Sequence, residues 1–82
     1  MNREDILATI AAEILKKDET INIKDITPDK SFAADLGMDS LDTVELTMEM
    51  EKHYDIQIAD DEMESVHTVG ELVDTILHHV NA

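Results

Sequence analysis

Apolar residues recur at three- and four-residue intervals in three stretches of this chain, and between them no interval is sustained. In the first stretch Ile6, Leu7, Ile10, Ala11, Ile14 and Leu15 share one helical stripe. Asn2 can cap it, Asp5 lies in the first turn and Lys16 and Lys17 in the last, so a helix is predicted to end close to Asp18. The last stretch opens on Thr68-Val69-Gly70-Glu71, a capping box in which Glu71 reaches back to the Thr68 amide. Val69, Leu72, Val73, Ile76, Leu77 and Val80 then hold helical period, with Gly70 costing a little helicity. The middle stretch is predicted to run from about Ser40 to Tyr54 and carries two apolar stripes. Leu46, Met50 and Tyr54 face the core. Leu41, Val44 and Met48 allow two readings. Either they widen a single buried face, or they stay partly exposed within a rim of Asp39, Asp42, Glu45, Glu49 and Glu51, the make-up of a docking surface.

The connections are uneven. Asp18 to Gly37 is long and lacks sustained periodicity, and although Ile21 and Ile23 alternate, a lone strand has no partner, so the segment reads as loop. Ile21 or Ile23, together with Ile26, Phe32 and Leu36, anchors it to the core, and Thr27-Pro28 suits a single helical turn at Pro28 to Lys30 or beyond. A loop of this length in a compact domain usually has a function. Further on, Ala59 to Val66 supports a short helix capped by Asp60, with Ile58, Met63 and Val66 inward. The expected architecture is all-α: a small four-helix bundle of three main helices and one short third helix, with a long first loop, forming one domain over residues 1–82. No repeat, low-complexity segment or linker interrupts it.

Composition narrows the partners. With 43% hydrophobic residues the chain can build one core, but only Phe32 and Tyr54 are aromatic, so aliphatic side chains and five methionines must fill it. Such a core is adaptable and suits a variable apolar guest. Twenty acids against six bases give a formal charge of −14. That excludes nucleic acid, which needs a basic face, and points to basic partners, a monomer, and stabilisation by salt. No cysteine is present, so there is no disulfide or thiolate and any thiol must be imported. The N-terminus lacks a signal-peptide layout and no apolar run reaches membrane-spanning length, so the expectation is a cytoplasmic protein without membrane insertion.

The candidate chemistry centres on Ser40. Gly37 can supply a sharp turn, and Asp39 or Ser40 can cap the middle helix, which leaves Ser40 displayed. As a nucleophile it would need a base: His53 lies too far along the same helix, His67, His78 and His79 could approach only through folding, and the tight turn of a serine hydrolase is missing, so triad catalysis is not expected. The residues from Asp35 to Asp42 do not fit the register of a calcium loop, and no metal site is expected. His78 and His79 favour the C-terminal end of the last helix by charge.

The run Leu36-Gly37-Met38-Asp39-Ser40-Leu41-Asp42, continuing through Thr43-Val44-Glu45-Leu46, resembles the phosphopantetheine attachment site of acyl carrier proteins. The resemblance extends over most of the chain and is closest to discrete bacterial fatty-acid-type carriers. It implies 4'-phosphopantetheine on Ser40, transferred from coenzyme A by a phosphopantetheinyl transferase, and acyl chains carried as thioesters rather than any catalysis. It further implies that Asp39, Leu41, Asp42, Val44, Glu45, Met48 and Glu51, with Asp60 and Glu64 on the short helix, meet basic acyl-transferring, condensing and reducing enzymes. Lys52, Ala59 and Met38 depart from the usual pattern of the family. Fatty acids are the default cargo, with polyketide or other specialised acyl groups next. The alternative is an acidic helical adaptor in which Ser40 is only a cap.

Overall fold

A computed structural model describes residues 2–81. Four helices follow one another: α1 over Arg3–Lys17, α2 over Ser40–Tyr54, α3 over Asp60–Ser65 and α4 over Val69–Val80. No strand is formed among the described residues, in keeping with the all-α expectation. α1 packs most extensively on α4, α2 closes against both, and α3 has the slightest contact with its neighbours.

The helix ends follow capping chemistry. The Asn2 side chain accepts from the Asp5 N–H at the head of α1, and Lys16 and Lys17 occupy its last turn. Thr68 and Glu71 close a capping box at the head of α4, and Asp39 and Asp42 form another at the head of α2. At the far end of α2, Asp55 adopts the left-handed conformation and ends the helix. α3 corrects the sequence-based expectation: its N-cap is Ala59, which offers no side-chain acceptor, and Asp60 is its first helical residue, where a carboxylate still suits the dipole.

The core is aliphatic around one aromatic ring. Ile6, Ile10 and Ile14 from α1, Leu46 and Met50 from α2, and Val69, Leu72, Val73 and Ile76 from α4 are sealed from solvent around Phe32. Each such side chain contributes roughly 1.5–3 kcal/mol by burial. Tyr54 is only partly buried.

The long first loop is held by backbone pairing that local periodicity does not announce. Phe32 N–H donates to His67 O, Val69 N–H to Lys30 O and Gly70 N–H to Pro28 O, at 2.9–3.0 Å. Ser31 and Thr68 thereby form an isolated antiparallel bridge. Pro28 starts no helical turn: Thr27 to Lys30 is a hydrogen-bonded turn, and the helical turn of the loop is a 3-10 turn over Ile23–Asp25, capped by Asn22. Ile26, Phe32 and Leu36 anchor the loop in the core and Ile21 is partly buried, whereas Ile23 is exposed. Gly70, which costs helicity, has a packing reason to be glycine. A Cβ there would lie 2.9 Å from the Pro28 carbonyl oxygen.

Candidate functional site

The loop delivers the chain to α2 through Gly37, whose φ of +66° lies in the left-handed region that glycine occupies without strain. Met38 then turns inward and is buried, so a departure from the family pattern at a displayed turn is a core residue here. Asp39 caps α2, accepting from the Asp42 N–H at 2.8 Å, while the Asp42 carboxylate reaches back to the Asp39 N–H at 3.4 Å. Of the two cap candidates, the structure selects Asp39. Ser40 is left as the first helical residue, exposed, with its hydroxyl unengaged by capping. Among the described residues neither the Ser40 nor the Leu41 N–H has an acceptor, so the positive end of α2 is open beside the hydroxyl.

Ser40 stands on the rim of a groove of about 320 Å³ between α2, α3 and the first loop. Its walls are largely apolar, from Phe32, Met38, Val44, Met63 and Val66, with Thr47 at the base and Asp39, Glu64 and His67 at the rim. A volume near 300 Å³ is the lower end of what small-ligand sites enclose. His67 shares this groove with Ser40, but no hydrogen bond joins their side chains among the described residues, and His67 N–H is held by Glu71 at 3.0 Å. His79 lies elsewhere, 2.6 Å from Glu62, where it ties α4 to α3. No nucleophile–base pair is assembled at Ser40 among the described residues. No cluster of acids and histidines able to hold a metal ion occurs among the described residues.

The second apolar stripe of α2 is exposed. Leu41 is 64% accessible, Met48 47% and Val44 39%, so the broad-buried-face reading is set aside. The carboxylates around the stripe are differently engaged. Asp39 and Asp42 are tied to each other's backbone, Glu45 pairs with Lys17 at 2.8 Å and Glu49 with Lys52 at 3.8 Å. Glu51 is partly buried, and its carboxylate accepts from the Ile58 N–H at 2.7 Å, fastening the connection into α3. Asp60 and Glu64 are exposed on α3, Glu64 at the groove.

These features can be set beside known proteins. The family model for the phosphopantetheine attachment site matches residues 5–76. The chain belongs to the acyl carrier proteins. The acyl carrier protein of Rubrobacter xylanophilus is 43% identical over 82 residues, covering all of both chains. That of Chlorobium phaeobacteroides is 47% identical over 57 residues, 70% of this chain and 73% of the relative. The solved acyl carrier protein of Enterococcus faecalis superposes with a TM-score of 0.78 at 30% identity, covering 96% of this chain and 99% of that one. The function is therefore acyl carriage on phosphopantetheine, with acyl chains and biosynthetic enzymes as partners in general. The adaptor alternative is not favoured. No helix among the described residues of this carrier is long and apolar enough to cross a membrane.

The residues present fit the cofactor. An exposed hydroxyl beside unpaired helix N–H groups accommodates a phosphodiester, whose negative charge suits the dipole of α2. The neighbouring groove offers apolar walls to a chain that extends from it.

Proposed function

We propose that Ser40 is the residue that carries 4'-phosphopantetheine, and that residues 1–82 act as one carrier domain that catalyses nothing itself. The observation behind this reading is the position of Ser40: exposed at the first turn of α2, on the rim of the apolar groove. When bound, the group supplies a terminal thiol that holds acyl chains as thioesters, a function the cysteine-free chain cannot provide. The chain's own residues have three tasks. Asp39 and Asp42 fix the start of α2 so that the Ser40 oxygen faces outward to a transferase. The open N–H groups of Ser40 and Leu41 favour the phosphate charge. Met38, Val44, Met63 and Val66 offer the acyl segment an apolar surface out of water.

The same reading makes the exposed stripe of Leu41, Val44 and Met48, with Asp39, Asp42, Glu45, Asp60 and Glu64 around it, the face that meets basic enzymes of fatty acid synthesis or a related acyl pathway in the cytoplasm. Glu51 belongs at the edge of this face, because its carboxylate is already committed to Ile58.

Intact-mass measurement tests the attachment. Wild type and Ser40→Ala are each incubated with coenzyme A, magnesium and a broad-specificity phosphopantetheinyl transferase. The expected outcome is one phosphopantetheine increment on wild type and none on a folded Ser40→Ala. An increment on both proteins would move the attachment elsewhere, and none on folded wild type would remove it.

A further inference from the structure

The acidic side chains near Ser40 differ in what they already face. Glu45 Oε2 lies 2.8 Å from the Nζ of Lys17, which reaches across from the last turn of α1. Lys17 is the less exposed of the two, because its aliphatic stem lines a crevice with Ile14, Ile21, Leu36 and Met38. The hydrogen bond to Glu45 raises the Lys17 ammonium above the ordinary lysine value, against an opposing effect of desolvation, and Asp42 and Glu49 add to the attraction. The other lysine on this face, Lys52, stands 3.8 Å from Glu49 with its side chain largely in water. Lys17 therefore occupies the place a partner's arginine or lysine would take on Glu45.

We propose that Lys17 is a resident counter-cation that sets partner choice: a basic enzyme gripping the middle of α2 must displace it from Glu45. Enzymes that grip Asp39 at the Ser40 end and Asp60 and Glu64 on α3 dock without that step. The inference rests on the reading of α2 as a docking face. It follows from the general rule that specificity grows by adding a cost to one class of partner. The cost is small because the pair is exposed, and it fades as salt screens both the pair and its competitor.

The test compares rates of phosphopantetheine loading on the full chain, by a transferase with a basic docking face, at low and high salt. Lys17→Met removes the charge and keeps an apolar stem, whereas Lys16→Met makes the same change in net charge on a lysine paired within α1 to Glu13 at 3.0 Å. The expected result is a kcat/KM for Lys17→Met about two- to fivefold above Lys16→Met at low salt, the size an exposed ion pair allows. That gain should vanish at high salt and in a Glu45→Gln background, and Lys17→Arg should load like wild type. Equal rates for the two methionine variants, with Glu45→Gln slow, would overturn the role of Lys17 and leave the docking face standing. A gain shared by Lys17→Arg would mark altered packing and overturn it equally. Glu45→Gln loading at the wild-type rate at both salt levels would remove Glu45 from the docking face, and the role of Lys17 with it.

Discussion

α4 and α2 are both amphipathic helices with a capping box, yet they dispose of their apolar residues in opposite ways. α4 sinks Val69, Leu72, Val73 and Ile76 into one sealed stripe. α2 buries Leu46, Thr47 and Met50 and leaves Leu41, Val44 and Met48 in water beside Ser40. The first helix uses its apolar residues to hold the bundle, and the second spends half of its own on display. A small domain with little core to spare does not expose such a stripe for stability, which is what supports the proposed reading of this face as a docking surface.

The largest test of that contrast is truncation on each helix. Leu72→Ala should cost about 2–5 kcal/mol, the range for emptying a well-packed aliphatic site. Val44→Ala should stay within about 0.5 kcal/mol, as surface changes do. Urea denaturation with an unchanged slope reads both. Comparable losses for the two variants would make the exposed stripe of α2 part of the core after all.

Next comes Gly70→Ala at the head of α4. Helix propensity alone promises a gain of up to about 1 kcal/mol. The added Cβ would instead meet the Pro28 carbonyl oxygen at 2.9 Å and its Cβ at 3.2 Å, so a net loss of about 1–3 kcal/mol is expected. A stabilised variant in the same denaturation experiment would mean that the loop yields freely.

The smallest effect concerns acid. The backbone N–H of His67, above all, and then Thr68 hold the Glu71 carboxyl below its usual range, against partial desolvation. A carboxyl depressed on folding adds stability that is present above its unfolded value, near 4.5, and lost as pH falls through the lower folded value. Acidification also relieves the repulsion of a very acidic chain, so the informative quantity is the difference between wild type and Glu71→Gln. That difference should shrink as pH drops below about 4.5 in thermal melts. A difference constant with pH would detach Glu71 from the cap.

Much of this contrast is legible along the chain because it is local. The stripes of α1 and α4, both flanking caps and the span of α2 follow from spacing and from side chains within four residues of one another. The two-stripe division of α2 was legible too, although spacing alone left open whether its second stripe is buried. What escaped depends on contacts between distant segments. Nothing near Pro28 announces Gly70, nothing near Lys17 announces Glu45, and Glu62 finds His79 only once α3 lies across α4. The 3-10 turn at Ile23–Asp25 escaped because Asn22 supplies its cap in a segment with no periodicity, whereas Thr27-Pro28 carries a stronger local signal for a turn that does not propagate. Asp60 was expected to cap α3 because its side chain suits that role, but the helix begins one residue earlier than that role requires.

The slight attachment of α3 sets a hierarchy of opening within the molecule. It has no fully buried side chain and no side-chain cap, and it is fastened by Glu51 to Ile58 on one side and by His79 to Glu62 on the other. A segment with so few buried contacts can detach at a fraction of the free energy of global unfolding, so its amides should exchange with solvent well before those of α4. Met63 and Glu64, which line the groove, ride on that segment. The cross-section of the groove can thus change while the α1–α4 interface stays closed, which under the proposed function would let one unchanging core serve guests of different length.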